Sequence, residues 1–133
     1  MTPTVRTFLV CVISLIATLS LTATAQKSTV PPVSIEGRYD DLTVGKPSGD
    51  LEGMRVILID GGGGIYAIVQ QAEGGAELPA PALAEVNVKG TEINFSIQLA
   101  GHDQAEKFSG KVSAAGLRLR SGDQPFFLKR KKC

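Results

Sequence analysis

An all-β fold is what this sequence predicts, and three observations carry it. Apolar and polar residues alternate with a period of two through most of residues 33–130, the mark of strands with one face buried. Gly, Pro, Asn and Asp break the alternation about every 8 to 15 residues, the spacing of turns in a small sandwich or barrel. No segment after the apolar leader carries the 3.6-residue repeat of a long helix.

The elements follow in order. Val33, Ile35, Gly37 and Tyr39 share one face of a first strand, with Ser34, Glu36 and Arg38 on the other. Residues 40–53, rich in Asp, Gly and Pro, read as a loop. Met54 to Asp60 and Ile65 to Gln71 are β-rich runs joined by Gly61 to Gly64, a hairpin. Residues 72–82 hold Gly74, Gly75, Pro79 and Pro81 and predict a second long loop with room for one helical turn. Ala84, Val86 and Val88 alternate up to a tight turn at 89–91. Ile93, Phe95, Ile97 and Leu99 then face inward while Glu92, Asn94, Ser96 and Gln98 face out. After a turn at 100–105, Phe108, Gly110 and Val112 mark another inward face. Leu117 and Leu119 mark the next, and Phe126 to Lys129 a last short strand after Pro125.

About eight strands joined by hairpins predict an antiparallel meander, and a closed barrel is favoured over a sandwich because closure removes unpaired edges. Such a barrel is either filled by side chains or left open for one small ligand.

Arg6, the apolar run Phe8 to Leu21 and the small-x-small site Ala23-Thr24-Ala25 predict an export signal over residues 1–25. The apolar run is shorter than the roughly 20 residues of a spanning helix, so cleavage and a periplasmic or secreted product are expected. An extended segment over 26–32 ending in Pro31-Pro32, a single domain over 33–130 and a basic tail over 131–133 complete the organisation. Residues 26–128 hold 9 basic against 13 acidic groups, and Lys129 to Lys132 then form a basic end. Cys11 leaves with the signal, so Cys133 has no intramolecular disulfide partner.

The hairpin of 54–71 is apolar on both faces. With its turn at Gly62-Gly63, Asp60 pairs with Ile65, Ile59 with Tyr66, Leu58 with Ala67, Ile57 with Ile68 and Val56 with Val69. If Val56, Leu58, Ala67 and Val69 line the core, then Ile57, Ile59, Tyr66 and Ile68 form an outer apolar face, flanked by Arg55 and Gln70. A wet patch of a few hundred Å² forgoes several kcal/mol at about 25 cal/mol per Å². Cover is therefore expected from the 72–82 loop, the segment near Val30 to Val33, a second copy, another protein, or an apolar ligand or lipid. An interior ligand would meet Val69, Phe95 and Phe108.

Gly37-Arg38-Tyr39 on the first strand, with Lys129-Arg130 closing the last, resembles the lipocalin and wider calycin pattern. There a Gly-x-Trp on the first strand packs beneath an arginine from the final one. The resemblance implies a ligand-binding barrel, with Tyr39 in the tryptophan's place and a domain shorter than a typical lipocalin. Val-Lys-Gly-x-Glu-Ile-x-Phe (88–95), Phe-Ser-Gly-Lys-Val (108–112) and Leu-Lys-Arg (128–130) also look like strands of small exported bacterial β-barrel domains of unassigned role.

Chemistry is sparse. Asp60 and the four glycines after it precede a strand, not the helix that a phosphate-binding loop needs, so the glycines serve the turn. His102, the single histidine, beside Asp103, lacks a nucleophile in a recognisable context. A solvated loop histidine is the expectation, with an enzyme accessory domain or a weak hydrolase using His102 as the alternative. Asp40, Asp41 and Asp50 lack the regular spacing of a calcium loop. No catalytic residue, metal site or cofactor is expected, nor nucleic acid as a partner, nor membrane contact after cleavage. Binding, rather than catalysis, is what the residues imply.

Overall fold

The structure is a computed structural model that describes residues 32–132. The expected export signal, nearly all of the lead-in segment and Cys133 lie outside the described residues. Nine strands form: β1 (Gly37–Asp40), β2 (Thr43–Val44), β3 (Leu51–Asp60), β4 (Ile65–Glu73), β5 (Ala82–Lys89), β6 (Glu92–Ile97), β7 (Glu106–Val112), β8 (Gly116–Ser121) and β9 (Gln124–Lys131). Every pairing is antiparallel. From β3 to β9 each strand pairs with its sequence neighbours, and β1 closes the ring by pairing both β9 and β3. The result is a closed eight-stranded barrel plus one extra strand, β2.

That extra strand continues β1 along the same edge of β3. Tyr39 faces Val56, and beyond the break Thr43 still faces Glu52, with no change of register. The break comes at Asp41, whose Oδ1 accepts the Met54 backbone N–H at 2.7 Å. Gly53 makes room for it: its φ is +109°, and a Cβ there would sit 2.8 Å from Asp41 Oδ1. Sequence reasoning left all of 40–53 as loop, whereas Asp40 ends β1, Leu51 begins β3 and β2 lies between, a two-residue strand having no period to read.

Two other expectations differ. Residues 33–36 are not strand; Val33 and Ile35 pack against the core from one end of the barrel instead. The loop between β4 and β5 contains bends and no helical turn, as its two glycines and two prolines favour. No helix among the described residues is long and apolar enough to cross a membrane.

Inward positions alternate as the sequence predicts. Each of the eight barrel strands contributes to one apolar cluster, from Tyr39 on β1 through Val56, Val69, Val86, Ile93, Phe108 and Leu117 to Leu128 on β9. Phe95 stacks on Phe108 at 5.3 Å between ring centres, and Phe126 lies 6.3 Å from Phe108. Burying each such side chain stabilises by about 1.5–3 kcal/mol relative to exposure. β5 and β6 pair only over Asn87–Lys89 and Glu92–Asn94, so they part beyond that point and leave a trough in the outer wall.

Candidate functional site

The β3–β4 hairpin has the register that its sequence predicts, with Ile59 opposite Tyr66, Ile57 opposite Ile68 and Val56 opposite Val69. Val56, Leu58, Ala67 and Val69 are buried inside. Ile57, Tyr66 and Ile68 are partly exposed on the outside, and Ile59 is 39% exposed. The face is wider than the hairpin. Leu83 on β5 lies opposite Ile68 and is 65% exposed, so Leu83, Ile68 and Ile57 form one apolar row across three strands. Sequence reasoning missed Leu83 because it began β5 at Ala84, where the inward alternation is clearest.

Charge brackets this row. Arg38 lies opposite Ile57 at one end, and Glu85 lies opposite Tyr66 at the other side. A groove of about 570 Å³ runs beside the row, floored by Ile57 and Ile59 and walled by Glu36, Arg38, Asp60 and Arg130. The 74–81 loop reaches only the corner of the face, where Gln70 Nε2 donates to the Pro79 carbonyl at 2.9 Å. Tyr66 folds back over the hairpin turn, its ring within 2.7 Å of where a Gly61 Cβ would stand. The glycines of 61–64 thus serve chain reversal and the seating of that ring, with Gly61 N–H donating to the Gly64 carbonyl at 2.9 Å.

Two polar clusters border the face. Asp40 is only 4% exposed and is held by Arg38 at 2.9 Å, Lys131 at 3.2 Å and Arg55 at 3.9 Å, which offsets the penalty of a buried carboxylate. In the second cluster, Arg130 donates to the Tyr39 hydroxyl at 2.6 Å and to the carbonyls of Ser34 and Glu36. Its guanidinium lies 4.9 Å from the centre of the Tyr39 ring, and the Tyr39 hydroxyl donates to the Ile35 carbonyl at 2.8 Å. Burial raises the Tyr39 phenol above its usual value of 10.0, and the Arg130 charge opposes that rise.

Val69, Phe95 and Phe108, the residues that would meet an interior ligand, all belong to the packed central cluster. Phe95 and Phe108 also border the outer trough between β5 and β6.

His102 is not a solvated loop histidine. Its side chain is 25% exposed, with Nδ1 2.8 Å from Glu106 Oε1 and Nε2 3.4 Å from Glu73 Oε1. Ser121 donates to the other oxygen of Glu106 at 3.2 Å. The order along this chain of contacts is Ser121, Glu106, His102, Glu73, so the hydroxyl meets a carboxylate and neither ring nitrogen faces it. A nucleophile–base pair needs the opposite arrangement. The cluster ties the 98–105 loop to the ends of β4 and β7. Sequence reasoning missed it because Glu73 and His102 are far apart in the chain and only closure brings them together.

The three aspartates weighed for calcium do not converge either. Asp40 is ion-paired with Arg38, Arg55 and Lys131, and Asp41 accepts the Met54 N–H. Among the described residues no group of three His, Cys, Asp or Glu side chains is placed to hold a metal ion.

Comparison of the chain with protein-family models, with curated proteins and with solved structures finds no match. The fold and the outer face therefore define only a class: a closed up-and-down β-barrel with an apolar strip across β3, β4 and β5.

Proposed function

We propose that this chain is an exported, non-enzymatic β-barrel that works by binding a protein through the outer face of Ile57, Ile59, Tyr66, Ile68 and Leu83, a second copy of itself being the partner that fits. One observation carries the reading: the row Leu83, Ile68, Ile57 stays partly exposed, the 74–81 loop reaching only the corner of the face at Gln70. The bracketing charges favour self-association. A two-fold axis through the row sets Arg38 of one copy against Glu85 of the other, giving an apolar centre with a polar rim. Packing of Val69, Phe95 and Phe108 into the central cluster supports an outer site over an interior one. The Arg130–Tyr39 packing supports the calycin resemblance, and the leader supports export.

Sedimentation of the purified protein over a range of concentrations tests the proposal. The wild-type chain should reach a dimer, and Ile68→Lys and Leu83→Lys should remain monomeric with stability within about 0.5 kcal/mol of wild type, as surface changes usually are. A wild-type chain that stays monomeric throughout, or variants that dimerise equally well, would refute it.

A further inference from the structure

The outer face from β5 round to β9 carries a second surface of different chemistry. The outward positions of β5 to β9 line up in two cross-strand rows. One reads Lys89, Glu92, Lys111, Arg118, Phe127, and the other Asn87, Asn94, Ser109, Arg120, Pro125. Lys107, opposite Ser96, extends the same face. All the cations in these rows are exposed, and none forms an ion pair within 4.0 Å among the described residues. In a chain of net charge +1, five cations on one face against Glu92, with Glu85 at its margin, is a pronounced segregation of charge.

The uncharged residues narrow the choice of ligand. Phe127 is 43% exposed beside a hollow that Leu119, Pro125 and Phe126 also line, and Arg118 lies 5.8 Å from its ring centre. Asn87, Asn94, Ser96 and Ser109 line a trough of about 500 Å³ together with Lys107, Arg120, one carboxylate, Glu85, and the rings of Phe95 and Phe108. A second hollow of about 430 Å³ adjoins it at Arg120, lined by Arg118, Leu119, Pro125, Phe126 and Phe127. Amides and hydroxyls in a row suit a ligand rich in hydroxyl groups. An exposed ring suits the apolar face of a sugar, and flanking guanidinium groups suit carboxylates or sulfates, which they can bind in bidentate fashion. A bilayer would find one aromatic to insert and a concave polar trough that it cannot follow. A single-stranded nucleic acid needs successive stacking rings, and this face exposes one, Phe127.

We infer that the outer face of β5 to β9 binds an acidic polysaccharide, its charged groups on Lys107, Lys111, Arg118 and Arg120 and one sugar ring against Phe127. The surface meets the apolar face proposed for self-association at Glu85 on β5, and the inference does not rest on that proposal.

Affinity electrophoresis and calorimetry with polygalacturonate and dextran sulfate, against neutral dextran, test it. The protein should bind at least one of the acidic polymers at low salt and neither at about 1 M salt, where the screening length falls to about 3 Å. Phe127→Ala, and Arg118→Gln combined with Arg120→Gln, should each weaken binding about tenfold, the effect of losing a central anchor. Lys46→Gln, in the exposed loop after β2, should leave it unchanged. Unaltered urea midpoints would show that the variants remain folded. Failure to bind either acidic polymer would overturn the inference, as would equal binding by Phe127→Ala. So would tighter binding to phosphatidylglycerol vesicles or to single-stranded DNA than to both polymers.

Discussion

The Arg130 guanidinium stands 4.9 Å from the centre of the Tyr39 ring and donates to its hydroxyl at 2.6 Å, so one side-chain pair fastens the last strand to the first. The same guanidinium also donates to the Ser34 and Glu36 carbonyls, which draws the chain before β1 across the end of the barrel. Replacing it leaves three acceptors without a donor. Arg130→Ala should lower stability by about 2–4 kcal/mol, the sum expected for lost charge-assisted hydrogen bonds and a cation over a ring. Arg130→Lys should recover less than half of that, since an ammonium lacks the planar fork. Urea unfolding of the two variants measures both.

Alkali should attack the same place. The Tyr39 phenol is raised above 10.0 by burial, so the folded chain holds its proton more tightly than the unfolded chain does. The stabilisation is complete below pH 10 and is lost as pH rises through the folded value. Stability measured between about pH 9 and pH 11 should therefore fall in the wild type and fall less steeply in Tyr39→Phe. Parallel curves would refute this assignment.

Close approach of strands gives a third expectation. A Cβ at Gly110 would run into the Arg118 carbonyl of β8 and lie 2.8 Å from a methyl of Leu119, and the backbone cannot yield without breaking the ladder. Gly110→Ala should destabilise by about 2 kcal/mol or more, in the upper range for an overpacked site. Gly63→Ala, where a Cβ meets nothing within 4 Å, should be neutral or stabilise by up to about 1 kcal/mol. Thermal midpoints of the pair decide it.

His102 is expected to act as a clasp. His102→Ala should lower stability by about 1 kcal/mol, as for a partly exposed network of this kind, and should raise amide exchange in residues 98–105 ahead of the rest of the barrel. Exchange unchanged in that loop would show that the contacts with Glu73 and Glu106 hold nothing in place.

Much of this architecture could be read from local pattern. Ile93, Phe95 and Ile97 declared their strand because alternation is a property of consecutive residues, and the β3–β4 register followed from the position of one glycine turn. What escaped depends on closure. Asp40 looked like a loop acid until β3 and β9 brought Arg55 and Lys131 to it. His102 looked like a turn residue until Glu73 and Glu106 met on either side. The basic face was invisible because Lys107, Arg118 and Phe127 each look like an ordinary outward position, and only the ladder sets them side by side. Tyr39 and Arg130 were the exception, legible at long range through a resemblance.

Pairing of β1 with β9 also governs how the chain can fold. The contact joins residues about as distant in sequence as the domain allows, Arg38 with Lys131, and such long closures slow folding. Until β9 arrives, β1 and β8 each offer a bare row of amide and carbonyl groups to any passing chain. A protein cut short before Gln124 would therefore be a seed for aggregation rather than a smaller barrel, and the final strand works as the seam that makes the other seven safe.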